Sequence, residues 1–205
     1  MKVELIAITP NPEEVIEKAA RTCYLSSPKD REKFIRRVVK AGHHSVLEHA
    51  VATFRISGVS RALTHQLVRH RLCSYSQQSQ RYVDETSFRY VEPDSIKNDP
   101  EAHKMFTKFI DDARNVYTNL RKLGIKKEDA RFVLPNATET QIVVAANFRE
   151  WRHIISLRGQ KDAQWEIRKL AIEILKILKE HAPSVFFDFE IDEENSVVVQ
   201  KISTS

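Results

Sequence analysis

The sequence predicts an α+β protein in which helices outnumber strands. Long segments carry apolar residues three and four apart, as on one face of a helix, while shorter segments have the character of strands. The two kinds of segment do not alternate regularly along the chain, as they would in a parallel α/β protein. Of the 205 residues, 41% are hydrophobic and 30% charged, which is typical of soluble globular proteins, and we expect residues 1–205 to form a single domain.

The first elements are predicted from helix caps and breakers. A strand is expected over residues 2–9, followed by a helix over 12–23 with Pro12 in its first turn. Ser27-Pro28 is expected to open a second helix, and Gly42 to end it, because glycine commonly follows the last helical residue.

The later elements follow from periodicity. Residues 50–57 are predicted as a strand, and Ser60 could cap a helix over 61–70. Segment 72–82 has little apolar character and is predicted as a loop or an irregular turn. The remaining predictions are, in order, a helix over 100–123, a short helix over 126–133, a strand over 138–146, a helix over 147–157, a helix over 162–181 and a strand over 195–202.

The excess of basic residues indicates an anionic partner without identifying it. The chain has 33 Lys and Arg against 28 Asp and Glu, a formal net charge of +5. A nucleic acid, a nucleotide and a phosphorylated cofactor all fit this charge. A glycine-rich phosphate loop is disfavoured, because the chain has only four glycines and contains neither the GxGxxG nor the Walker A motif.

Cysteine content and the N-terminus favour the cytoplasm. Two cysteines, Cys23 and Cys73, make neither a disulfide framework nor a CxxC zinc motif. The N-terminus lacks the long apolar region of a signal peptide, and no run approaches the roughly 18 apolar residues that span a bilayer.

The densest cluster of functional side chains begins at Arg69-His70-Arg71 and continues to Ser79 and Arg81. A guanidinium donates two parallel hydrogen bonds to phosphate or carboxylate, and serine hydroxyls can complete a phosphate cage. Gln66, one turn before Arg69, is expected on the same helix face. From these residues alone, a phosphate site and an exposed basic or nucleic-acid-binding face remain equally plausible.

Two further clusters leave their roles open. The first contains His43, His44, Ser45, Glu48 and His49. A metal is disfavoured because the HExxH pattern and a third ligand at a fixed spacing are missing, and a capping or packing role is about as plausible as a ligand-binding role. The second could be an exposed basic face or one side of a cleft; it contains Asn147, Arg149, His153 and Arg158.

A covalent mechanism through Ser79 or Cys73 is the less favoured alternative. A serine nucleophile needs a base and an orienting group, and the chain has no GxSxG elbow. The basic residues before Cys73 could lower the pKa of its thiol, which is the feature that keeps this alternative open.

Four separated blocks resemble the flavin-dependent thymidylate synthases. The family signature is RHR, seven residues and Ser, which here is Arg69-His70-Arg71 followed by Ser79. The segment GHHSVLEHAVATF (42–54) is similar to the family's GHxSxxEHxxxTF, and Ala130–Pro135 to its AR-x-x-LP element. The final block is matched by Asn147-Phe148-Arg149, His153, Leu157-Arg158 and Ala163-Gln164-Trp165-Glu166-Ile167.

This resemblance implies a fold and an activity. The fold would be that of thymidylate synthase-complementing proteins, with a central, mostly antiparallel sheet flanked by helices. The reaction would be the reductive methylation of dUMP to dTMP, with FAD as hydride carrier, NADPH as reductant and methylenetetrahydrofolate as one-carbon donor. The protein would be a cytoplasmic homotetramer with active sites between subunits, and neither a metal, a nucleic acid nor a membrane would take part.

The resemblance also implies the site residues, position by position. The expected FAD contacts are Ser45, Arg69, His70, Arg71, Gln77, Asn147, Phe148, Arg149 and His153. The expected dUMP contacts are Gln66, Leu67, Val68, Arg69, Gln77, Gln78, Ser79, Gln80, Arg81, Arg131 and Arg158. Arg158 is the expected catalytic residue, placed against the uracil ring where its charge would favour the form ionised at the ring nitrogen.

Three positions differ from the usual family pattern. Gln77 replaces a glutamate, Gln80 replaces a glycine, and Asp162 replaces a histidine, which makes the loop geometry and flavin affinity open questions. The alternatives to the resemblance are a basic nucleic-acid-binding module, and a related flavin or nucleotide enzyme with another substrate.

Overall fold

The computed structural model describes residues 1–24 and 29–201, and it confirms the α+β class. The strands are β1 (Lys2–Ile8), β2 (Val51–Ser60), β3 (Ser74–Gln77), β4 (Glu139–Asn147), β5 (Phe189–Asp192) and β6 (Val197–Gln200). The α-helices are α1 (Pro12–Tyr24), α2 (Arg31–Lys40), α3 (Arg61–Leu67), α4 (Asp94–Lys97), α5 (Pro100–Lys122), α6 (Lys127–Ala130), α7 (Phe148–Arg158) and α8 (Trp165–His181). Short 3₁₀ helices cover His44–His49 and Arg131–Val133.

The strands form two sheets. The larger sheet has the order β1-β2-β4-β3, which agrees with the antiparallel sheet that the family resemblance implies. Strands β5 and β6 form an antiparallel pair in which Phe189 lies opposite Gln200. Strand β5 was missed by the sequence analysis, since its four residues are too few to establish a period.

Several element boundaries follow the predicted caps. The Ser60 hydroxyl accepts a hydrogen bond from the main-chain N–H of Leu63 over 3.0 Å, as expected of an N-cap at α3. Gly42 has a φ of +74° just after α2, a conformation that glycine adopts without strain. The first residue of α2 is Arg31, capped by Asp30, whereas the predicted opening at Ser27-Pro28 lies outside the described residues.

Two predicted elements were wrong. The helix predicted over 61–70 ends at Leu67, so Arg69 does not share a helix face with Gln66. The loop predicted over 72–82 contains β3 (Ser74–Gln77) at the end of the sheet order. A short strand at a sheet edge is held by its main-chain hydrogen bonds, so it does not need the apolar alternation that the prediction looked for.

Contacts divide the chain into two compact units. The first contains Met1–Ile56, Leu67–Tyr75 and Val143–Ser205, and the second contains Ser57–Gln66 and Ser76–Ile142. In the first unit, the fully buried Trp151 packs edge-on against Phe54, with ring centroids 5.2 Å apart, and its indole N–H donates to the Ala52 carbonyl.

The second unit has its own core beneath α5. Ile110 and Ala113 of this helix pack with Phe88, and the buried Tyr117 hydroxyl accepts a hydrogen bond from the main-chain N–H of Glu85 over 3.3 Å. Within residues 1–24 and 29–201, no helix is both long and apolar enough to cross a membrane.

Candidate active site

The turn after α3 presents the Arg69-His70-Arg71 motif. Because this motif lies beyond the helix end, its side chains point apart: Arg69 and Arg71 are exposed, whereas His70 is only 5% exposed. The Tyr75 hydroxyl lies 2.7 Å from the Leu67 carbonyl oxygen and 2.8 Å from that of His70. Burial raises the pKa of Tyr75, so the hydroxyl remains a donor that fixes this turn.

Helix α7 presents a second set of polar side chains. Asn147 is its N-cap, and the Asn147 Oδ1 accepts a hydrogen bond from the main-chain N–H of Glu150 over 2.9 Å. Phe148, Trp151 and Ile155 of this helix are buried in the core, at the spacing of one helical face. The remaining positions are free to present Arg149 and His153 to a cavity.

A cavity of about 940 Å³ in the first unit brings these two sets together. Four arginines and two glutamates line it, so its walls are net positive. The lining residues are His44, Glu48, Arg69, His70, Arg71, Leu72, Asn147, Arg149, Glu150, Arg152, His153, Ser156 and Gln200.

The four arginines of the cavity differ in how far their charge is already compensated. Arg149 pairs with Glu48 over 2.6 Å at the surface, and Arg152 makes two 2.7 Å hydrogen bonds to the buried Asp188 carboxylate. Neither Arg69 nor Arg71 has an ion-pair partner among residues 1–24 and 29–201. These two guanidinium groups are therefore available to an anion.

His70 is held between Arg158 and Glu150. The Arg158 Nε–H donates a hydrogen bond to His70 Nε2 over 3.0 Å, and His70 Nδ1 lies 3.5 Å from Glu150 Oε1. Burial, with the charges of Arg158 and His153, lowers the pKa of His70 to about 4. The imidazole is therefore neutral at physiological pH, and its single proton is on Nδ1 because Nε2 is an acceptor.

The same region contains a group that could hold a metal ion. His70, Glu150 and His153 offer ligand atoms that all lie within 4.8 Å of one another. One nitrogen of His70, however, already accepts the Arg158 hydrogen bond, and the surrounding arginines repel a cation. We therefore interpret this group as part of a polar network.

The nucleotide residues predicted in the second unit include two arginines joined through Glu128. Arg81 donates from Nε to Glu128 Oε2 over 3.2 Å, and Arg131 donates from Nε to the Glu128 main-chain carbonyl over 3.0 Å. The Ser79 hydroxyl accepts a hydrogen bond from the main-chain N–H of Arg81 over 3.3 Å. The structure thus groups Ser79, Arg81 and Arg131 around one segment of this unit.

Gln80 and Arg61 carry two of the four buried side-chain donors in the second unit that lack partners among the described residues; the other two are on Arg121 and Thr140. Gln80 is 7% exposed, and its Nε2 has no hydrogen-bond partner within the part of the chain that the structure describes. The same is true of Nη1 of Arg61, a residue that the sequence analysis did not select. Unsatisfied buried donors are costly, which makes both groups candidates for a ligand contact.

Several predicted residues lie apart from the cavity lining. Ser45 is exposed on the 3₁₀ helix, and Val68 is also exposed. The Leu67 and Phe148 side chains are fully buried, so any ligand contact from them would come from the main chain.

The glutamines of the predicted site are held within the second unit. Gln77 Nε2 donates to Thr64 Oγ1 over 2.9 Å. Gln78 lines a separate cavity of about 280 Å³, and Gln66 lies half-buried at the end of this unit's first segment.

Some lining residues were absent from the predicted set. Glu150 and Arg152 lie on the predicted helix 147–157, where Arg149, Arg152 and Ser156 recur at helical spacing and could have indicated one polar face. Gln200 comes from β6, and nothing in the local sequence places it near α7.

Burial raises the pKa of the Cys73 thiol, so it is not an activated nucleophile.

Comparison with known proteins identifies the family. Residues 4–184 match the family described as "Thymidylate synthase complementing protein". A "Flavin-dependent thymidylate synthase" of Geobacter sulfurreducens is 46% identical over 200 residues, covering 92% of this chain and 86% of that protein. Proteins of the same name from Mycolicibacterium vanbaalenii and Mycobacterium tuberculosis are 46% and 45% identical over 198 residues, covering 86% of this chain and 79% of each relative. The chain belongs to the thymidylate synthase complementing protein family.

Proposed function

We propose that this chain is a flavin-dependent thymidylate synthase that methylates dUMP to dTMP. We further propose FAD as its flavin, NADPH as its reductant and methylenetetrahydrofolate as its one-carbon donor. One observation carries the proposal: a single positive cavity is lined by six residues of the family's flavin set, Arg69, His70, Arg71, Asn147, Arg149 and His153. The family match and the names of the relatives support the reaction.

The cavity fits a flavin dinucleotide. Its volume of about 940 Å³ is near the upper end of the range for small-molecule sites, about 300–1,000 Å³. A pyrophosphate needs cationic hydrogen-bond donors, and the guanidinium groups of Arg69 and Arg71 have no competing carboxylate among the described residues. We assign the flavin to this cavity and retain Ser45, Gln77 and Phe148 as predicted contacts.

The nucleotide phosphate is assigned to Ser79, Arg81 and Arg131. The Glu128 carboxylate already lies against Arg81, so this guanidinium accepts an oxyanion in the folded protein. A phosphate there would replace the carboxylate, and the unpartnered Nε2 of Gln80 is a further donor for the nucleotide. The remaining predicted contacts are Gln66, Leu67, Val68, Arg69, Gln77, Gln78 and Arg158.

In this assignment Arg158 is the catalytic residue. The C5 carbon of uracil is a poor nucleophile, and a fixed positive charge beside the ring stabilises the negative charge that develops there. Because His70 accepts the Arg158 Nε–H, the guanidinium is oriented while its terminal N–H groups stay available to the substrate. When bound, the flavin supplies hydride chemistry and the folate supplies the carbon unit, so the chain contributes position and charge.

We also propose that residues 1–205 act as one functional domain, in a cytoplasmic homotetramer with active sites between subunits. Support for self-association comes from apolar side chains on the outer face of α5, where Met105 is 68% and Phe109 54% exposed. Mixing inactive Arg158→Ala and Arg81→Ala subunits tests the shared site, since activity should recover only if these residues act across subunits.

The function is tested by product formation. Purified protein is incubated with dUMP, FAD, NADPH and methylenetetrahydrofolate, and nucleotides are separated by mass spectrometry. We expect dTMP to form only when all four are present. Flavin binding without any dTMP would contradict the proposed substrate.

A further inference from the structure

Glu150 is a buried carboxylate that the proposed reaction does not yet use. It lies in the first turn of α7, is 6% exposed and lines the same cavity as His70. Its Oε1 faces Nδ1 of His70 at 3.5 Å, and no other hydrogen bond or ion pair of its carboxylate occurs in the described chain. A buried carboxylate whose ligand atom lies within 4.8 Å of those of His70 and His153, and whose ion-pair contact is with His70, calls for a specific role.

The hydrogen bonds of His70 define that role. A neutral imidazole has one donor and one acceptor nitrogen, and Nε2 is the acceptor because Arg158 donates to it over 3.0 Å. The proton therefore lies on Nδ1, the nitrogen that faces Glu150. In the other tautomer an N–H of His70 would point at the N–H of Arg158, and after a ring flip the Cε1–H would take the place of the accepting nitrogen.

We infer that Glu150 is a positioning residue: its carboxylate keeps His70 protonated on Nδ1, so that Nε2 receives and orients the Arg158 guanidinium. The catalytic consequence depends on the proposed thymidylate synthase function, in which Arg158 acts on the uracil ring. The tautomer of His70 does not depend on that function, because it can be measured without substrate.

The test compares Glu150→Gln, Glu150→Ala and a matched control. Gln keeps an oxygen that can accept the Nδ1–H, whereas Ala removes it. Glu17→Ala is the control, because Glu17 is equally buried, at 5% exposure, but pairs with Arg21 and Arg31 instead of a cavity residue. It measures the effect of losing a buried carboxylate elsewhere.

Two readouts separate positioning from a purely structural effect. The first readout is ¹⁵N-histidine NMR, in which the His70 signals are assigned with a His70→Gln variant. We expect His70 to be protonated on Nδ1 in the wild type, Glu150→Gln and Glu17→Ala. In Glu150→Ala we expect a shift toward the form protonated on Nε2. For dTMP formation at saturating flavin, we expect kcat to fall at least about tenfold in Glu150→Ala and to recover in Glu150→Gln.

The wild-type spectrum alone can overturn the inference. His70 protonated on Nε2 in the wild type would contradict it, even if Glu150→Ala does not fold. An unchanged tautomer in folded Glu150→Ala would also contradict it, whatever happens to kcat. If the tautomer responds as expected but wild type makes no dTMP, the proposed function fails and the Glu150–His70 relationship stands.

Discussion

The Nε–H of Arg158 donates a hydrogen bond to Nε2 of His70 over 3.0 Å, although 88 positions separate the two residues in the chain. The contact joins the end of α7 to the turn after α3, both within the first compact unit. The orientation of the proposed catalytic guanidinium therefore depends on the protonation state of the buried His70 imidazole.

Replacing Arg158 with Ala should greatly reduce turnover without removing the flavin. The charge that stabilises the developing anion would be lost, and removing one such donor typically lowers kcat by about 10²–10³. Flavin affinity by fluorescence titration should change little, since Arg158 is not among the cavity's lining residues. Arg36→Ala, which removes a half-exposed guanidinium paired with Glu32, is the control. Equal loss of flavin and turnover would contradict the role assigned to Arg158.

Arg69→Ala and Arg71→Ala should each weaken flavin binding. A charged hydrogen bond contributes about 1.5–3 kcal/mol, so the Kd for FAD should rise by roughly 10- to 150-fold. Raising the salt concentration should weaken wild-type binding and affect both variants less. The exposed Arg37→Ala serves as control. Wild-type affinity in both variants would place the flavin elsewhere.

Ser79→Ala should retain measurable activity. The Ser79 hydroxyl accepts a hydrogen bond from the main chain of Arg81, which is a loop-shaping contact, and no protein nucleophile is needed in the proposed reaction. Mainly the KM for dUMP should rise, because the loop would hold the phosphate less well. A complete loss of kcat in a folded Ser79→Ala protein would instead favour a nucleophilic serine.

The Arg152–Asp188 pair should matter for stability. Both side chains are almost fully buried, and removing one partner of such a pair typically costs about 3–5 kcal/mol because the other charge is left unpaired. Urea unfolding of Arg152→Ala should show this loss. Lys176→Ala, which breaks an exposed pair with Glu173, should change the free energy of unfolding by less than about 1 kcal/mol.

The Arg152–Asp188 pair also predicts that the free energy of unfolding depends on pH. Burial raises the pKa of Asp188, but the hydrogen bonds and charge of Arg152, together with a hydrogen bond from Gln200, outweigh burial and hold the pKa below its ordinary value of 3.8. The stabilisation is therefore complete above about pH 4 and is lost as the pH falls through the folded-state pKa. Asp188→Asn should remove this component of acid sensitivity, and the same acid sensitivity in the variant would contradict the assignment.

His70 should destabilise the protein at mildly acidic pH. Its pKa is about 4 in the folded state against an ordinary value of 6.5, so the unfolded chain takes up a proton first as the pH falls. Between pH 7 and pH 5 this costs up to about 2 kcal/mol. His70→Gln should lose less stability over that interval than wild type, with His181→Gln, at an exposed position, behaving as wild type. Identical losses in all three proteins would contradict the depressed pKa.

Local signals predicted most helices and strands, because caps and apolar periodicity are encoded within a few residues. Ser60 and Gly42 acted as expected, whereas β3 was missed because an edge strand rich in Ser and Gln has no apolar period. The Arg69-His70-Arg71 cluster was found from sequence. Its connection to Glu150 and Gln200 was not, because these residues reach the cavity only through packing between distant segments.

The most direct test is the visible spectrum of the purified protein with FAD, recorded before and after dUMP is added. The central claim is that the Arg69-His70-Arg71 cavity binds flavin in an enzyme whose substrate is dUMP. We predict a protein-bound flavin band that shifts when dUMP is added, and that is lost or weakened in the Arg69→Ala, Arg71→Ala double variant. A protein that binds no flavin, or a flavin band indifferent to dUMP, would contradict the account.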